Sequence, residues 1–262
     1  MLAKDAKLSD GSSLCREQAI EAICDHALAE YPNECIGVID NEGIYHRLRN
    51  NATDPKKHAT ADKREIAQLI INSNLRALVH SHPGGPECPS EMDMISQQEM
   101  DVPFIIVATN GTACAEPFAW GDMLVDDRPL IGRSFRHATD DCYSLIRRWY
   151  KLEREIILPD FPRNWEWWNK KMQEESNCQG DLYRRFFSDA GFSELDGVNP
   201  REGDVWLAAI RSDEPNHAGI YLDNGLTIHH PSSGLAYDVK RLSKRDTIAR
   251  WVPFITHWLR RK

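Results

Sequence analysis

The sequence predicts two domains in tandem: an α/β domain with a mixed sheet, followed by an α+β domain. Three observations predict this. Residues 1–122 carry 10 basic and 19 acidic side chains, whereas residues 123–262 carry 22 and 21, and seven of the eight tryptophans lie in the second stretch. Helical periodicities alternate with apolar strand runs as far as Trp120. Beyond a second helical block, short strands follow one another through tight turns. The expected division is 1–122, a linker at 123–133, and 134–262 with a basic C-terminal tail.

Residues 1–14 read as a loosely held lead-in. Ala19, Ile20, Ile23, Ala27 and Leu28 recur at helical spacing and predict a helix over 15–29, ended by Tyr31-Pro32-Asn33. Strands follow at 34–39 and 44–48, joined by the turn at Asp40-Asn41-Glu42-Gly43. A polar loop leads to a helix over 62–71. The run Leu75, Ala77, Leu78, Val79 enters a strand ending in His80-Ser81-His82-Pro83. A Gly/Pro-rich loop follows, then a helix over 91–100, a buried strand at 104–108 and a short one within 115–120. In the second half, Leu145, Ile146, Trp149, Leu152 and Ile156 line one side of a helix over 142–155. Pro159, Phe161, Pro162, Trp165, Trp167 and Trp168 crowd into ten residues, as either a hydrophobic mini-core or a lid and docking surface. A helix over 182–190 is stopped by Gly191. Strands follow at 204–210, 217–222 and 226–230, the last two joined by Asp223-Asn224-Gly225.

Composition excludes several classes. Hydrophobic residues make up 41% and charged residues 27%, as in a globular chain. No apolar run reaches the length of a membrane span, and Met1 to Asp10 lacks the apolar segment of a secretory signal. Seven cysteines without a Cys-x-x-Cys pair predict thiols and a reducing compartment. The acidic first half argues against nucleic-acid binding. Only the basic residues from Lys240 onward, interspersed with Trp251, Phe254 and Trp258, point the other way, and nucleic acid is not an expected partner.

The sharpest chemical signal is His80-x-His82 with Asp93 eleven residues on. Side chains on a strand alternate, so the two imidazoles point to one side. Asp93 arrives from a helix start. Three such ligands suit a divalent zinc that keeps a fourth position for water. Glu34 is the expected general base, and Ser90 the expected donor to an oxyanion. Ser90-x-x-Asp93 is equally a helix cap, which needs no metal. Cys88 is not expected as a ligand, because a fourth protein ligand would close the site.

Glu34, then His80-Ser81-His82-Pro83, then seven residues to Ser90-Glu91-Met92-Asp93, resembles the JAMM (MPN/JAB) metallopeptidase signature. The resemblance implies a zinc-dependent peptidase or isopeptidase fold over roughly residues 10–120. It implies one Zn2+ on His80, His82 and Asp93, with Glu34 as base and Ser90 as oxyanion partner. The short Pro/Gly loop resembles prokaryotic members, so a ubiquitin substrate does not follow.

Cys142 opens a helix, where first-turn N–H groups favour a thiolate. His217 and His229 flank the 223–225 turn, so His229 is expected opposite His217 as its orienter, with His230 facing away. Asp141-Cys142-x-x-Leu145, Gly203-Asp204-Val205, His217-x-Gly219-Ile220-Tyr221 and Ile228-His229 resemble the NlpC/P60 cysteine peptidases over roughly residues 128–235. That implies a papain-like fold and hydrolysis of peptidoglycan stem peptides, with Cys142 as nucleophile, His217 as base and His229 as orienter. Many members have a Tyr and a Gly-Gly pair ahead of the Cys. Here the segment from Gly132 to Asp140 is shorter and Phe135 offers no hydroxyl.

The order of the two domains resembles tailed-phage tail assembly proteins. It implies work in the host cytoplasm or at the tail tip, with tail tip proteins and peptidoglycan peptides as partners. A non-catalytic assembly factor using both folds as docking modules is the alternative.

Overall fold

The computed structural model describes residues 1–72, 74–169, 182–197 and 199–262. Cys178 lies outside them, as does Lys170 at the end of the aromatic-rich stretch. The chain separates into two compact units, Met1–Asp127 and Arg128–Lys262.

The first unit runs β1 (Lys7–Leu8), α1 (Glu17–Glu30), β2 (Ile36–Ile39), β3 (Tyr45–Leu48), α2 (Lys63–Ile71), β4 (Ala77–Pro83), α3 (Glu91–Met100), β5 (Phe104–Thr109), β6 (Phe118–Trp120) and β7 (Leu124–Val125). Five strands form a mixed sheet in the order β3-β2-β4-β5-β6. β4 and β5 are parallel, which requires the crossover that α3 supplies. Alternation divides β4 between two faces. Ala77 and Val79 join Ile39, Ile105 and Val107 beneath Ile23 and Ala27 of α1. Leu78 joins Ile36, Val38 and Phe104 on the other face, with Ile66 and Leu69 of α2. His80 and His82 share the parity of Leu78.

The first residues are not a loose lead-in. Ala3, Ala6 and Leu14 are buried, and the Ala3 and Ala119 amides bond to Pro117 O and Met1 O at 2.9 Å. β1 pairs with β7. Small apolar residues scattered among Lys and Asp carry no periodicity, so only the edge they cover reveals their role.

The second unit runs β8 (Ser134–Arg136), α4 (Cys142–Arg154), α5 (Leu182–Phe186), β9 (Phe192–Glu194), β10 (Val205–Ala208), β11 (His217–Leu222), β12 (Leu226–His229), β13 (Tyr237–Leu242), β14 (Lys244–Thr247) and β15 (Ile255–Arg261). Six strands form an antiparallel sheet in the order β14-β12-β11-β10-β15-β9, and β13 pairs with β8. Leu145, Ile146 and Trp149 of α4 pack on Leu207, Ala218 and Ile228. Trp206, Ala208 and Trp258 form the opposite layer with Trp251. The basic C-terminal stretch is therefore sheet rather than tail. Its charges hid the strands: the Arg260 guanidinium pairs with Asp204 at 2.6 Å, and that of Arg261 donates to Gly191 O at 3.0 Å. α5 is shorter than expected, and Gly191 follows at φ +78°. Asn224 and Gly225 both take positive φ, as Asn-Gly favours. They close a three-residue turn, with Leu222 opposite Leu226.

Among the described residues no helix is long and apolar enough to cross a membrane.

Two candidate active sites

In the first unit, sheet parity brings His80 and His82 onto one face, with their Nε2 atoms 3.1 Å apart. Asp93 reaches them from the first turn of α3. Its Oδ1 is 3.1 Å from His80 Nε2 and its Oδ2 3.4 Å from His82 Nε2. The helix-cap reading holds at the same time. Ser90 is the N-cap: its Oγ accepts from the Asp93 amide at 3.1 Å, and Asp93 Oδ2 accepts from the Ser90 amide at 2.8 Å and from Ser90 Oγ at 2.7 Å. A carboxylate has lone pairs enough for both tasks. The cap fixes the orientation in which Asp93 faces the imidazoles, and it engages the Ser90 hydroxyl proton.

His80, His82 and Asp93 form a group able to hold a metal ion. The spacing suits one. A tetrahedral zinc bound at about 2.0–2.1 Å keeps its ligand atoms roughly 3.3–3.4 Å apart. The tautomer suits it too. His82 Nδ1 lies 3.0 Å from Pro86 O, a carbonyl that can only accept, so Nδ1 carries the proton and Nε2 offers its lone pair to the cluster. Burial works to lower the His82 pKa, yet the hydrogen bond and charge of Asp93 outweigh it and raise the pKa. Burial opposes ionisation of Asp93, but the two histidines hold its pKa far below the carboxylate range. Glu34 is buried just ahead of β2 and lines the same groove as His80, His82, Ser90 and Asp93. Burial raises its pKa, against the pull of His80 and His82. Cys88 is buried and stands outside the ligand group. None of the six described cysteines forms a disulfide.

In the second unit, Cys142 is the first residue of α4 and Asp141 its N-cap. Asp141 accepts from the Ser144 amide at 2.8 Å and from the Ala138 amide at 2.9 Å. The buried Arg163 donates to it through Nε at 3.0 Å and Nη2 at 2.8 Å. Nothing in the sequence pattern marks Arg163, which lies in the loop after α4. Cys142 is half-buried, its Sγ 2.9 Å from the Tyr183 hydroxyl. It lines a cleft together with His217, Trp165, Trp167 and Trp168. The tryptophans thus wall the cleft: Trp167 and Trp168 are in edge contact at 5.5 Å, and Trp167 meets Tyr183 at 5.6 Å.

The helix N-terminus does not leave Cys142 a thiolate here. Burial, then the charge of Asp141, pushes the thiol up to about 11. Burial and the neighbouring His229 push His217 well below its ordinary value. His217 Nε2 is 3.0 Å from His229 Nδ1. The two are not opposite one another, because Gly219 pairs with His229. They meet diagonally on one face, at a spacing that ring side chains span. Gly219 makes room there, since a Cβ would lie 2.4 Å from the Trp206 ring. His230 faces away and contacts Arg241 O at 3.3 Å.

Two family profiles match the chain: prokaryotic homologs of the JAB domain over residues 16–120, and the NlpC/P60 family over residues 115–253. The tail tip assembly protein K of Escherichia phage N15 is 30% identical over 82% of this chain and 85% of its own. The chain belongs to this family, a JAB domain fused to an NlpC/P60 domain. The tail tip assembly protein K of Escherichia phage lambda is 34% identical over 68% of this chain and 77% of its own. The solution structure of a Salinibacter ruber protein is 20% identical, covers 44% of this chain and 88% of that one, and has a TM-score of 0.30. The JAB domain holds the His80/His82/Asp93 group, and the NlpC/P60 domain holds Cys142, His217 and His229.

Proposed function

We propose that the chain is a bifunctional hydrolase of phage tail tip assembly. Residues 1–122 carry zinc-dependent hydrolysis of an amide or isopeptide bond in a tail tip protein, and residues 134–262 carry thiol-dependent hydrolysis of peptidoglycan stem peptides. It works in the host cytoplasm or from the tail tip. The observation that carries this reading is the convergence of His80, His82 and Asp93, whose ligand atoms, one from each residue, lie within 4.8 Å of one another.

When bound, the zinc supplies Lewis-acid activation of water and of the amide carbonyl. Glu34, whose pKa burial raises, takes the water proton and returns it to the leaving nitrogen. The Ser90 hydroxyl must leave Asp93 Oδ2 to donate to the substrate oxygen. In the second domain Cys142 Sγ attacks the peptide carbonyl, and its proton passes to His217. His217 then protonates the leaving amine, and water hydrolyses the resulting thioester. The resting pair is thiol and neutral imidazole, so the proton moves during attack. His229 orients the His217 ring.

Metal analysis of protein purified without chelator tests the first half. About one zinc per chain, lost in His82→Ala, is expected; a folded wild type without zinc refutes it. Turnover of muropeptides by wild type and Cys142→Ala tests the second, and equal rates refute it. One observation favours a non-catalytic assembly factor instead: the Tyr183 hydroxyl sits on the Cys142 sulfur. In phage complementation, infectious tails from His82→Ala and Cys142→Ala would select that reading.

A further inference from the structure

We propose that Asp246 is a positioning residue of the Cys142 site, fixing His229 as its Nε2–H tautomer. The inference rests on the thiol-peptidase reading above. Only one proton lies between His217 Nε2 and His229 Nδ1, 3.0 Å apart. If it belongs to His217, then His217 Nδ1 keeps a lone pair and the ring can act as a base. If it belongs to His229, then His217 must carry its own proton on Nδ1 and has no lone pair left for the thiol. The tautomer of His229 therefore decides whether the site is competent.

An acceptor at the far nitrogen of His229 makes that choice. His229 is fully buried. Asp246 Oδ2 is 3.7 Å from its Nε2, an ion-pair distance that a small approach turns into a hydrogen bond. The sheet builds this file. Gly219 pairs with His229, and Thr227 pairs with Asp246. His217, His229 and Asp246 thus succeed one another diagonally on one face of three adjacent strands, β11, β12 and β14. Trp206 and Trp251 wall the file at 6.1 and 4.4 Å from the His229 ring.

The surrounding charges keep Asp246 an acceptor. Lys244 Nζ lies 3.2 Å and Arg250 Nη1 3.5 Å from its Oδ2. Its Oδ1 accepts from the Thr247 amide at 2.9 Å. His230, the other imidazole beside the file, is engaged with Arg241 O and supplies no acceptor to it. When His217 takes the thiol proton, the partly buried Asp246 carboxylate stabilises the charge through His229.

Long-range 1H–15N NMR of the full chain at neutral pH reads the protonated nitrogen of each ring. Wild type is expected to show Nε2–H on both His229 and His217. Asp246→Ala is expected to shift His229 toward Nδ1–H, with muropeptide turnover falling at least ~100-fold. Asp246→Asn, which keeps an acceptor oxygen, is expected to restore the wild-type tautomer. A wild-type His229 protonated at Nδ1 overturns the proposal, and so do unchanged tautomers in Asp246→Ala. The wild-type spectrum decides even where the alanine variant fails to fold. A wild type inactive on muropeptides but carrying His229 Nε2–H would sink the peptidase reading and leave the tautomer assignment standing.

Discussion

Replacing Arg163 with alanine should unfold the second unit at a much lower temperature. Arg163 and Asp141 are 5% and 4% exposed, so neither charge is solvated. The guanidinium also donates to Asp160 Oδ1 at 3.0 Å, Phe161 O at 2.7 Å and Ala138 O at 3.0 Å. Its removal leaves the Asp141 carboxylate buried with only neutral donors. Breaking a buried pair from one side costs about 3–5 kcal/mol, a large share of a typical domain stability of roughly 5–15 kcal/mol. For a unit of this size that lowers Tm on the order of 10–20 °C. Tryptophan fluorescence in a thermal ramp is a suitable assay, because seven of the eight tryptophans follow residue 122. Asn is as good an N-cap as Asp, so adding Asp141→Asn to Arg163→Ala should recover part of the loss. A loss below about 1 kcal/mol, or no recovery in the double variant, would refute the argument.

Burial lowers His137 to about 4, from roughly 6.5 when unfolded. The lowered group binds its proton less readily when folded. Its stabilisation is therefore complete above pH 6.5 and falls by roughly 3 kcal/mol as pH drops toward 4. The melting temperature of the second unit should decline less steeply between pH 7 and 4.5 in His137→Gln; equal slopes would refute this. Gly219→Ala places a Cβ 2.4 Å from the Trp206 ring and 2.8 Å from Ile228 O. It should cost about 1–3 kcal/mol or more in denaturant titration, and a neutral effect would show that the strand yields freely. Ser90→Ala removes a cap worth about 1 kcal/mol and releases the carboxylate it orients. Zinc affinity, measured against a competing chelator, should fall ~10–100-fold; an unchanged affinity would show that the cap does not hold Asp93 in place.

Where one local rule decided the outcome, the sequence could be read directly. Strand alternation alone put His80 and His82 on one side, and the apolar faces of α1 and α4 were periodic enough to place both helices. The Ser90-x-x-Asp93 ambiguity could not be resolved from sequence, because the carboxylate that closes the helix cap is the same one that faces the two imidazoles. Arg163 was invisible because a buried arginine in a Pro-rich loop has no pattern; only its partner 22 positions away gives it meaning. β14 was missed because its Lys-Arg-Asp-Thr run forms an edge strand, where charge is the rule. β15 was missed because its arginines find their partners, the Asp204 carboxylate and the Gly191 carbonyl, far away in sequence. Asp246 went unnoticed with β14. The diagonal register of His217 and His229 needed the actual length of the turn.

The two sites differ in how much chain must exist before they can form. The candidate metal ligands lie within the single stretch from His80 to Asp93, inside the β4-α3-β5 crossover. Cys142, His217, His229 and Asp246 are drawn from nearly the whole second unit, and the last three line up only when strands β11, β12 and β14 have paired. Local contacts form quickly, and distant ones must first overcome the entropy of closing long loops. As the chain leaves the ribosome, the first centre can assemble while most of the second unit is still unmade. A chain truncated before β14 would keep the residues of the first candidate centre and lose, with Asp246, the β15 strand that lies between β10 and β9.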